Sequence, residues 1–175
     1  MTSFLLMRHG EPDFSDCDRQ PGWGSDLAPL TSAGEKQVSL QIAKIREFNP
    51  EIVITSPMTR AMHTALLIRS AVNNPFKVEF KLHEWLPDMS FKSRSFRDFQ
   101  SFQSEFLRCN GEWPPGETRC WEPLSVMHSR ALTVLRKYLP YQRVLVVCHG
   151  KLIKSLTSLE TDVDMAGFVV IELNS

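Results

Sequence analysis

The chain has 175 residues, of which 42% are hydrophobic and 23% are charged, a composition typical of one globular domain around a single core. Its 20 basic and 20 acidic side chains cancel, so no overall field favours nucleic acid or an anionic membrane, and any anion site has to be built locally. The sequence shows no signal-like segment and no apolar run near the ~18 residues that span a bilayer. We therefore expect a cytoplasmic protein of one domain, residues 1–175, without nucleic-acid or membrane partners. The sequence does not fix its oligomeric state.

Strands and helices alternate through the first half of the chain. The apolar run 4–7 predicts a buried strand, and the long loop 11–29, rich in Asp, Pro, Gly and Ser, is expected to border a functional site. Thr31 is expected to cap a helix that ends near Asn49-Pro50. The next elements are expected to be a strand at 52–54, a helix at 61–71 and a weaker third strand at 78–82.

The stretch from Trp85 to Pro123 breaks this alternation with aromatic residues, Pro and Gly, and it is predicted to be an inserted lid. Regular order then returns with helices at 123–138 and 151–159 and strands at 144–147 and 168–173. Because strand and helix alternate, the predicted class is α/β, with a mainly parallel central sheet flanked by helices on both faces.

Two of the predicted strands end in a histidine followed by a glycine. His9 ends the first strand within Arg8-His9-Gly10, and His149 ends the strand at 144–147 within Cys148-His149-Gly150. A parallel sheet collects functional groups at the carboxyl ends of its strands. We therefore expect both imidazoles to lie in one pocket. Cys148 is interpreted as a small buried residue without a chemical role.

Two arginines accompany these histidines. Arg8 precedes His9, and Arg60 falls in the first turn of a helix, where amide donors and the helix dipole favour an anion. Two guanidiniums can bind the non-bridging oxygens of a phosphoryl group and neutralise its charge as Mg²⁺ does in nucleotide-dependent transfer. A neutral imidazole, whose ordinary pKa is about 6.5, is a nitrogen nucleophile at neutral pH, a role that suits His9. We predict no metal and no other cofactor, because the histidines lack a metal-ligand spacing.

Four ordered motifs make the sequence resemble a known family. They are Arg8-His9-Gly10-Glu11, Leu30-Thr31 with Gly34 and Gln37, Ser56-Pro57 with Arg60-Ala61 and Thr64-Ala65, and Cys148-His149-Gly150. This set resembles the histidine phosphatase superfamily, the phosphoglycerate mutase-like proteins. The resemblance implies that His9 is phosphorylated in a covalent intermediate. It further implies that Arg8, Arg60 and His149 surround the phosphoryl group, and that an acidic residue after the third strand protonates the leaving group.

Glu84 is the candidate for that acid. Its apolar neighbours in Leu82-His83-Glu84-Trp85 can keep a carboxyl protonated near neutral pH. Asp88 is an alternative on the same chemistry. Glu11 is expected to orient an arginine or to contact substrate, and Gly10 to let backbone and ligand approach closely.

The departures from the family pattern favour its phosphatase branch. Cofactor-dependent mutases of the superfamily typically follow the signature glutamate with a small hydroxylic residue and Trp-Asn, whereas this sequence has Glu11-Pro12-Asp13-Phe14. The sequence also stops soon after its last strand, where many mutases have a longer tail. In the predicted lid, Arg94 and Arg97 stand among aromatic residues and are candidate substrate contacts.

These observations predict a phosphohydrolase of the histidine acid phosphatase type, a metal-independent phosphomonoesterase that acts on a small phosphorylated metabolite through phosphohistidine. One alternative is a cofactor-dependent phosphomutase of the phosphoglycerate mutase type, which returns the phosphoryl group to a second hydroxyl. Another is a non-catalytic protein that binds a phosphorylated ligand. The sequence leaves the identity of the phosphoester open.

Overall fold

The computed structural model of the protein describes residues 1–16, 24–92 and 96–174. The strands within these residues are β1 (Thr2–Arg8), β2 (Ile52–Thr55), β3 (Phe76–Val78), β4 (Arg143–Cys148) and β5 (Phe168–Leu173). They form one sheet in the order β3-β2-β4-β1-β5. The first four strands are parallel, and β5 lies antiparallel against β1. The predicted α/β class with a mainly parallel sheet is confirmed.

Helices cover both faces of this sheet. They are α1 (Gly24–Leu27), α2 (Ser32–Phe48), α3 (Thr59–Val72), α4 (Phe96–Arg108), α5 (Leu124–Leu135) and α6 (Gly150–Leu156), with short 3₁₀ turns at Phe80–Leu82 and Arg136–Tyr138. α2 and α3 pack on one face, and α5 and α6 pack on the other. No helix in the described part of the chain is long and apolar enough to cross a membrane.

The central strands are buried on both faces. In β1, Phe4 and Leu6 pack toward α5 and α6, whereas Leu5 and Met7 pack toward α2 and α3. Because successive side chains of a strand point to opposite faces, a strand covered on both sides is apolar throughout. This burial explains the uninterrupted apolar run from which the first strand is predicted.

Both ends of α2 agree with the sequence prediction. The hydroxyl of Thr31 accepts a hydrogen bond from the amide of Gly34 at 2.9 Å. At the other end Asn49 adopts a φ of 51°, a left-handed conformation that asparagine tolerates better than most residues. Pro50 follows and cannot continue the helix because it has no amide hydrogen.

The third strand lies earlier in the chain than the sequence predicts. β3 pairs with β2 through Phe76–Val78. The chain then leaves the sheet in a 3₁₀ turn, which buries Leu82 and leaves Phe80 73% exposed. The strand predicted at 78–82 is therefore wrong, since its alternating apolar residues also fit a turn with one inward side chain.

Aromatic side chains anchor the segment between Trp85 and Pro123 to the core. Trp85, Phe106 and Trp121 are buried, and the ring of Phe106 lies 5.0 Å from that of Trp85 and 5.4 Å from that of Trp121. The indole of Trp113 donates to the Trp121 carbonyl at 2.9 Å. These contacts pack the segment that contains α4 against the core cluster that also includes residues of α5 and α6.

Candidate active site

Strand order brings the two predicted histidines together. β1 and β4 are neighbours in parallel register, with Arg8 opposite Cys148. His9 and His149 each follow these residues directly, so both imidazoles emerge at the same edge of the sheet. Their ring centroids are 5.1 Å apart, with an edge-to-face angle of 62°.

The imidazole of His9 is fixed in one tautomer. Its Nδ1 lies 2.7 Å from the carbonyl oxygen of Gly10, which only accepts hydrogen bonds, so Nδ1 carries the proton. Nε2 then has a lone pair and accepts a hydrogen bond from Nε of Arg60 at 3.1 Å. Burial, helped by the charge of Arg60, lowers the pKa of His9 to about 4. The buried His9 is therefore neutral at physiological pH.

Arg60 is held in place at the start of α3. Its Nη1 donates to the carbonyl of Ser25 at 2.6 Å, and its Nη2 lies 3.1 Å from the sulfur of Met58. The helix presents the guanidinium directly against His9, as expected for an arginine in the first helical turn. Thr64, one turn further along α3, accepts a hydrogen bond from the amide of Gly10 at 3.1 Å. α3 thus positions both the arginine and the loop after β1.

Arg8 and His149 each leave a polar atom without a partner. Nη1 of Arg8 donates to the carbonyl of Val163 at 2.9 Å, and Nε2 of His149 lies 2.7 Å from the hydroxyl of Ser56. Among the described residues, Arg8 Nε and His149 Nδ1 are buried and have no hydrogen-bond partner. Burial, followed by the charge of Arg60, lowers the pKa of His149 well below its ordinary value. A buried polar atom without a partner costs free energy unless a ligand satisfies it.

The two candidate acids differ in how their carboxylates are engaged. Glu84 accepts one hydrogen bond at each oxygen, from the amides of Trp85 at 2.9 Å and Lys151 at 3.3 Å. Its charge acts directly on His9. Asp88 is instead buried in a turn, where it accepts bonds from the amide and hydroxyl of Ser90 and from the amide of Lys92. This geometry favours Glu84 over Asp88 as the group that faces the histidines.

The sequence matches the model of a protein family over nearly its whole length. The model of the histidine phosphatase superfamily, branch 1, matches residues 4–174. The chain belongs to the histidine phosphatase superfamily. It is 30% identical over 159 residues to the uncharacterized phosphatase PhoE of Bacillus subtilis, covering 89% of this chain and 76% of that protein.

Other relatives extend the comparison. This superfamily member is 26% identical over 170 residues to a 2,3-bisphosphoglycerate-dependent phosphoglycerate mutase of Rhizobium rhizogenes, covering 88% of this chain and 77% of that protein. Its fold is similar to that of Bacillus stearothermophilus YhfR, with a TM-score of 0.76 at 19% identity over 99% of this chain and 92% of that one. Phosphatases and mutases both occur among the relatives, and the similarity to PhoE supports phosphatase activity.

The loop after β1 is packed tightly against α2 in this histidine phosphatase. A Cβ atom added at Gly10 would lie 2.6 Å from the carbonyl oxygen of Gly34, so only glycine fits. The carboxylate of Glu11 accepts a hydrogen bond from the Thr31 hydroxyl at 2.8 Å, and its amide donates to Gln37 at 2.9 Å. Glu11 therefore ties the loop to α2, and its contact with an arginine or a substrate stays a prediction.

A buried ion pair that the sequence does not predict lies next to the backbone of Glu84. The guanidinium of Arg130 lies 2.6 Å and 3.0 Å from the two carboxylate oxygens of Glu122. The same guanidinium donates to the carbonyls of Lys81, His83 and Glu84 at 2.6 Å, 2.8 Å and 3.3 Å. The pair thus fixes the backbone that carries Glu84. Its only signal in the sequence is one arginine on the otherwise apolar inward side of α5.

The remaining predicted site residues lie away from this cluster or outside the described chain. Arg94 falls outside the described residues, and Arg97 is an exposed residue of α4. Cys148 is buried, and burial raises the pKa of its thiol to about 12, so it stays protonated. In the described ranges, no group of three or more His, Cys, Asp or Glu residues comes together as a metal site.

Proposed function

We propose that this histidine phosphatase is a metal-independent phosphomonoesterase of the histidine acid phosphatase type, acting on a small phosphorylated metabolite through a phosphohistidine at His9. The observation that carries the proposal is the state of His9. Its Nε2 is unprotonated and accepts a hydrogen bond from Nε of Arg60, and its ring centroid lies 5.1 Å from that of His149. An imidazole lone pair held among cations suits attack on an anionic phosphoryl group.

Charge neutralisation in the proposed reaction comes from side chains. Arg8 and Arg60 are permanent cations whose charges both act on His9, and guanidiniums bind phosphoryl oxygens in bidentate fashion. The unpartnered Arg8 Nε is a donor that a phosphoryl oxygen would satisfy. The Nδ1 atom of His149 becomes such a donor when the hydroxyl of Ser56 donates to Nε2, which leaves the imidazole proton on Nδ1. These donors supply the electrostatic role that Mg²⁺ performs in nucleotide-dependent transfer.

The reaction would proceed in two displacements. In the first, Nε2 of His9 bonds to phosphorus as the ester oxygen–phosphorus bond breaks. Glu84, which takes up a proton when the anionic ester binds, gives that proton to the departing alcohol oxygen. In the second, Glu84 takes a proton from water, the water oxygen bonds to phosphorus, and the nitrogen–phosphorus bond breaks to release inorganic phosphate. Asp88 is less suited because three local donors already occupy its carboxylate.

Hydrolysis is favoured over phosphoryl return by the loop after β1. Pro12, Asp13 and Phe14 stand where cofactor-dependent mutases typically carry a small hydroxylic residue and Trp-Asn, and Glu11 is bound to α2 rather than directed into the site. The relative with 30% identity is a phosphatase.

We further propose that residues 1–175 form one domain in which the segment 85–123 is a lid, because α4 residues line a cavity beside Glu84.

Release of inorganic phosphate tests this proposal directly. Wild-type protein and His9→Ala are compared on p-nitrophenyl phosphate and a panel of phosphorylated metabolites in EDTA. Metal-independent turnover that is lost in His9→Ala supports the hydrolase. Turnover that appears only after addition of a divalent metal overturns it. Isomerised product that requires bisphosphoglycerate priming indicates the mutase, and phosphate or vanadate binding without turnover indicates a binding protein.

A further inference from the structure

The proposed acid lies in a segment without regular structure. Residues 83–86 belong to neither a helix nor a strand, so no regular hydrogen-bond pattern fixes the backbone of Glu84. Its carboxylate accepts hydrogen bonds from the amides of Trp85 and Lys151. An acid must also stand within about 2.6–3.2 Å of the oxygen that it protonates. The position of Glu84 therefore depends on contacts that hold this segment in place.

One set of contacts reaches the segment from α5. The side chain of Arg130 donates to the backbone carbonyls of Lys81, His83 and Glu84. A planar guanidinium carries five N–H donors at fixed angles, so it can bind three carbonyls and a carboxylate at once. A lysine ammonium is a point charge with three donors and does not reproduce this geometry. Arg130 therefore fixes both the place and the orientation of the backbone that carries the acid.

Glu122 holds the segment on the other side of the acid. Its backbone amide donates to the carbonyl of Leu86 at 2.9 Å, and its carboxylate accepts a bond from the amide of the same residue at 3.2 Å. Its carbonyl accepts a bond from the indole of Trp85 at 2.8 Å. The carboxylate also neutralises Arg130, and both side chains are almost fully buried. Charge-assisted bonds away from water are strong and directional, so the two residues hold the acid from both sides along the chain.

We infer that Arg130 is a positioning residue for acid catalysis, which keeps the carboxyl of Glu84 within reach of the departing oxygen. This inference rests on the proposed function and gives the buried pair a role in the reaction besides its role in stability. A displaced acid weakens protonation of the leaving group but leaves attack by His9 unchanged. The rate that is lost without Arg130 should therefore grow with the leaving group's need for a proton.

A matched pair of esters isolates this effect. Phenyl phosphate and p-nitrophenyl phosphate differ in one nitro group, which makes nitrophenolate a good leaving group and phenolate a poor one. Arg130→Lys keeps a positive charge beside Glu122 but loses the planar set of donors. We expect this variant to lower kcat/KM for phenyl phosphate by about 10- to 100-fold, the loss typical of a misplaced catalytic group. Its kcat/KM for p-nitrophenyl phosphate should stay near wild type.

Three further variants serve as references. Glu84→Gln removes the acid itself and should show the same selectivity with a larger loss. Ile45→Ala opens a cavity in the core on the opposite face of the sheet, and its loss of stability should not change the ratio of the two rates. If circular dichroism shows that Arg130→Lys is unfolded, Arg130→Met combined with Glu122→Leu removes the pair without leaving one charge unpaired. This double variant should show the same selective loss.

The outcomes separate the inference from the proposed function. Equal losses on both esters in the folded Arg130 variant, or no loss on either, overturn the inference alone when Glu84→Gln is selective. A Glu84→Gln variant without selectivity overturns the assignment of the acid, and the inference with it. A folded wild-type protein that hydrolyses neither ester overturns the proposed function.

Discussion

The buried pair of Arg130 and Glu122 provides the sharpest structural prediction. Their side chains are only 9% and 3% exposed, and two charge-assisted bonds join them. Glu122 also accepts a bond from the amide of Leu86 at 3.2 Å. In Glu122→Gln the charge of Arg130 stays buried without its counterion. The NH₂ group of the introduced amide would also face the N–H donors of Arg130 and Leu86, which it cannot accept from. Removing one partner of a buried pair costs about 3–5 kcal/mol.

Urea unfolding followed by far-ultraviolet circular dichroism measures this loss. The matched control is Lys137→Gln, which breaks the pair between Lys137 and Glu79 at 2.8 Å, where Lys137 is 54% exposed. A surface pair of this kind contributes about 1 kcal/mol or less. We expect Glu122→Gln to lower the free energy of unfolding by at least twice as much as Lys137→Gln. Equal, small losses in the two variants would refute the assignment of Glu122 and Arg130 as a structural clamp.

The other predictions concern the site itself. The folded protein keeps His9 neutral down to about pH 4, whereas the unfolded chain protonates it near pH 6.5. The free energy of unfolding should therefore fall by about 3 kcal/mol as the pH drops from above 6.5 to 4. A His9→Gln variant whose unfolding midpoint depends on pH as steeply as that of the wild type would contradict this. Ser56→Ala removes the hydroxyl 2.7 Å from His149, and we expect a loss of about 1–3 kcal/mol in thermal unfolding together with a lower kcat; an unchanged kcat argues against a role for that bond. Gly10→Ala introduces a Cβ only 2.6 Å from a backbone oxygen and should destabilise the protein by about 1–3 kcal/mol, whereas Gly150→Ala, with its nearest neighbour at 3.5 Å, should not.

Sequence patterns predict the parts of the fold that depend on local chemistry. The apolar runs of β1 and β4 are long enough to require burial on both faces, and Thr31 and Asn49 mark the ends of α2. The third strand was harder to place because its edge position leaves only three paired residues. Short edge strands carry little periodicity, so their boundaries depend on tertiary contacts.

In the candidate site, too, local sequence patterns predict some residues, and others depend on tertiary contacts. His9, His149 and Arg60 stand in motifs at strand and helix ends, so the parallel topology alone predicts that they lie together. The carboxylate of Glu11 accepts a hydrogen bond from the helix cap Thr31, a contact that the sequence does not predict. Its contact with an arginine or a substrate stays a prediction. Arg130 also binds backbone carbonyls that lie 46 to 49 residues earlier in the chain. One arginine on the apolar side of α5 does not indicate which distant groups it contacts.

Capture of the phosphorylated enzyme tests the central claim most directly. The protein is mixed with ³²P-labelled p-nitrophenyl phosphate, quenched in alkali within milliseconds, digested and mapped. We predict a base-stable, acid-labile label on the peptide that contains His9, formed as fast as p-nitrophenol is released and absent from folded His9→Ala. Steady phosphate release by His9→Ala at the wild-type rate, or a label on a different residue, would contradict the account.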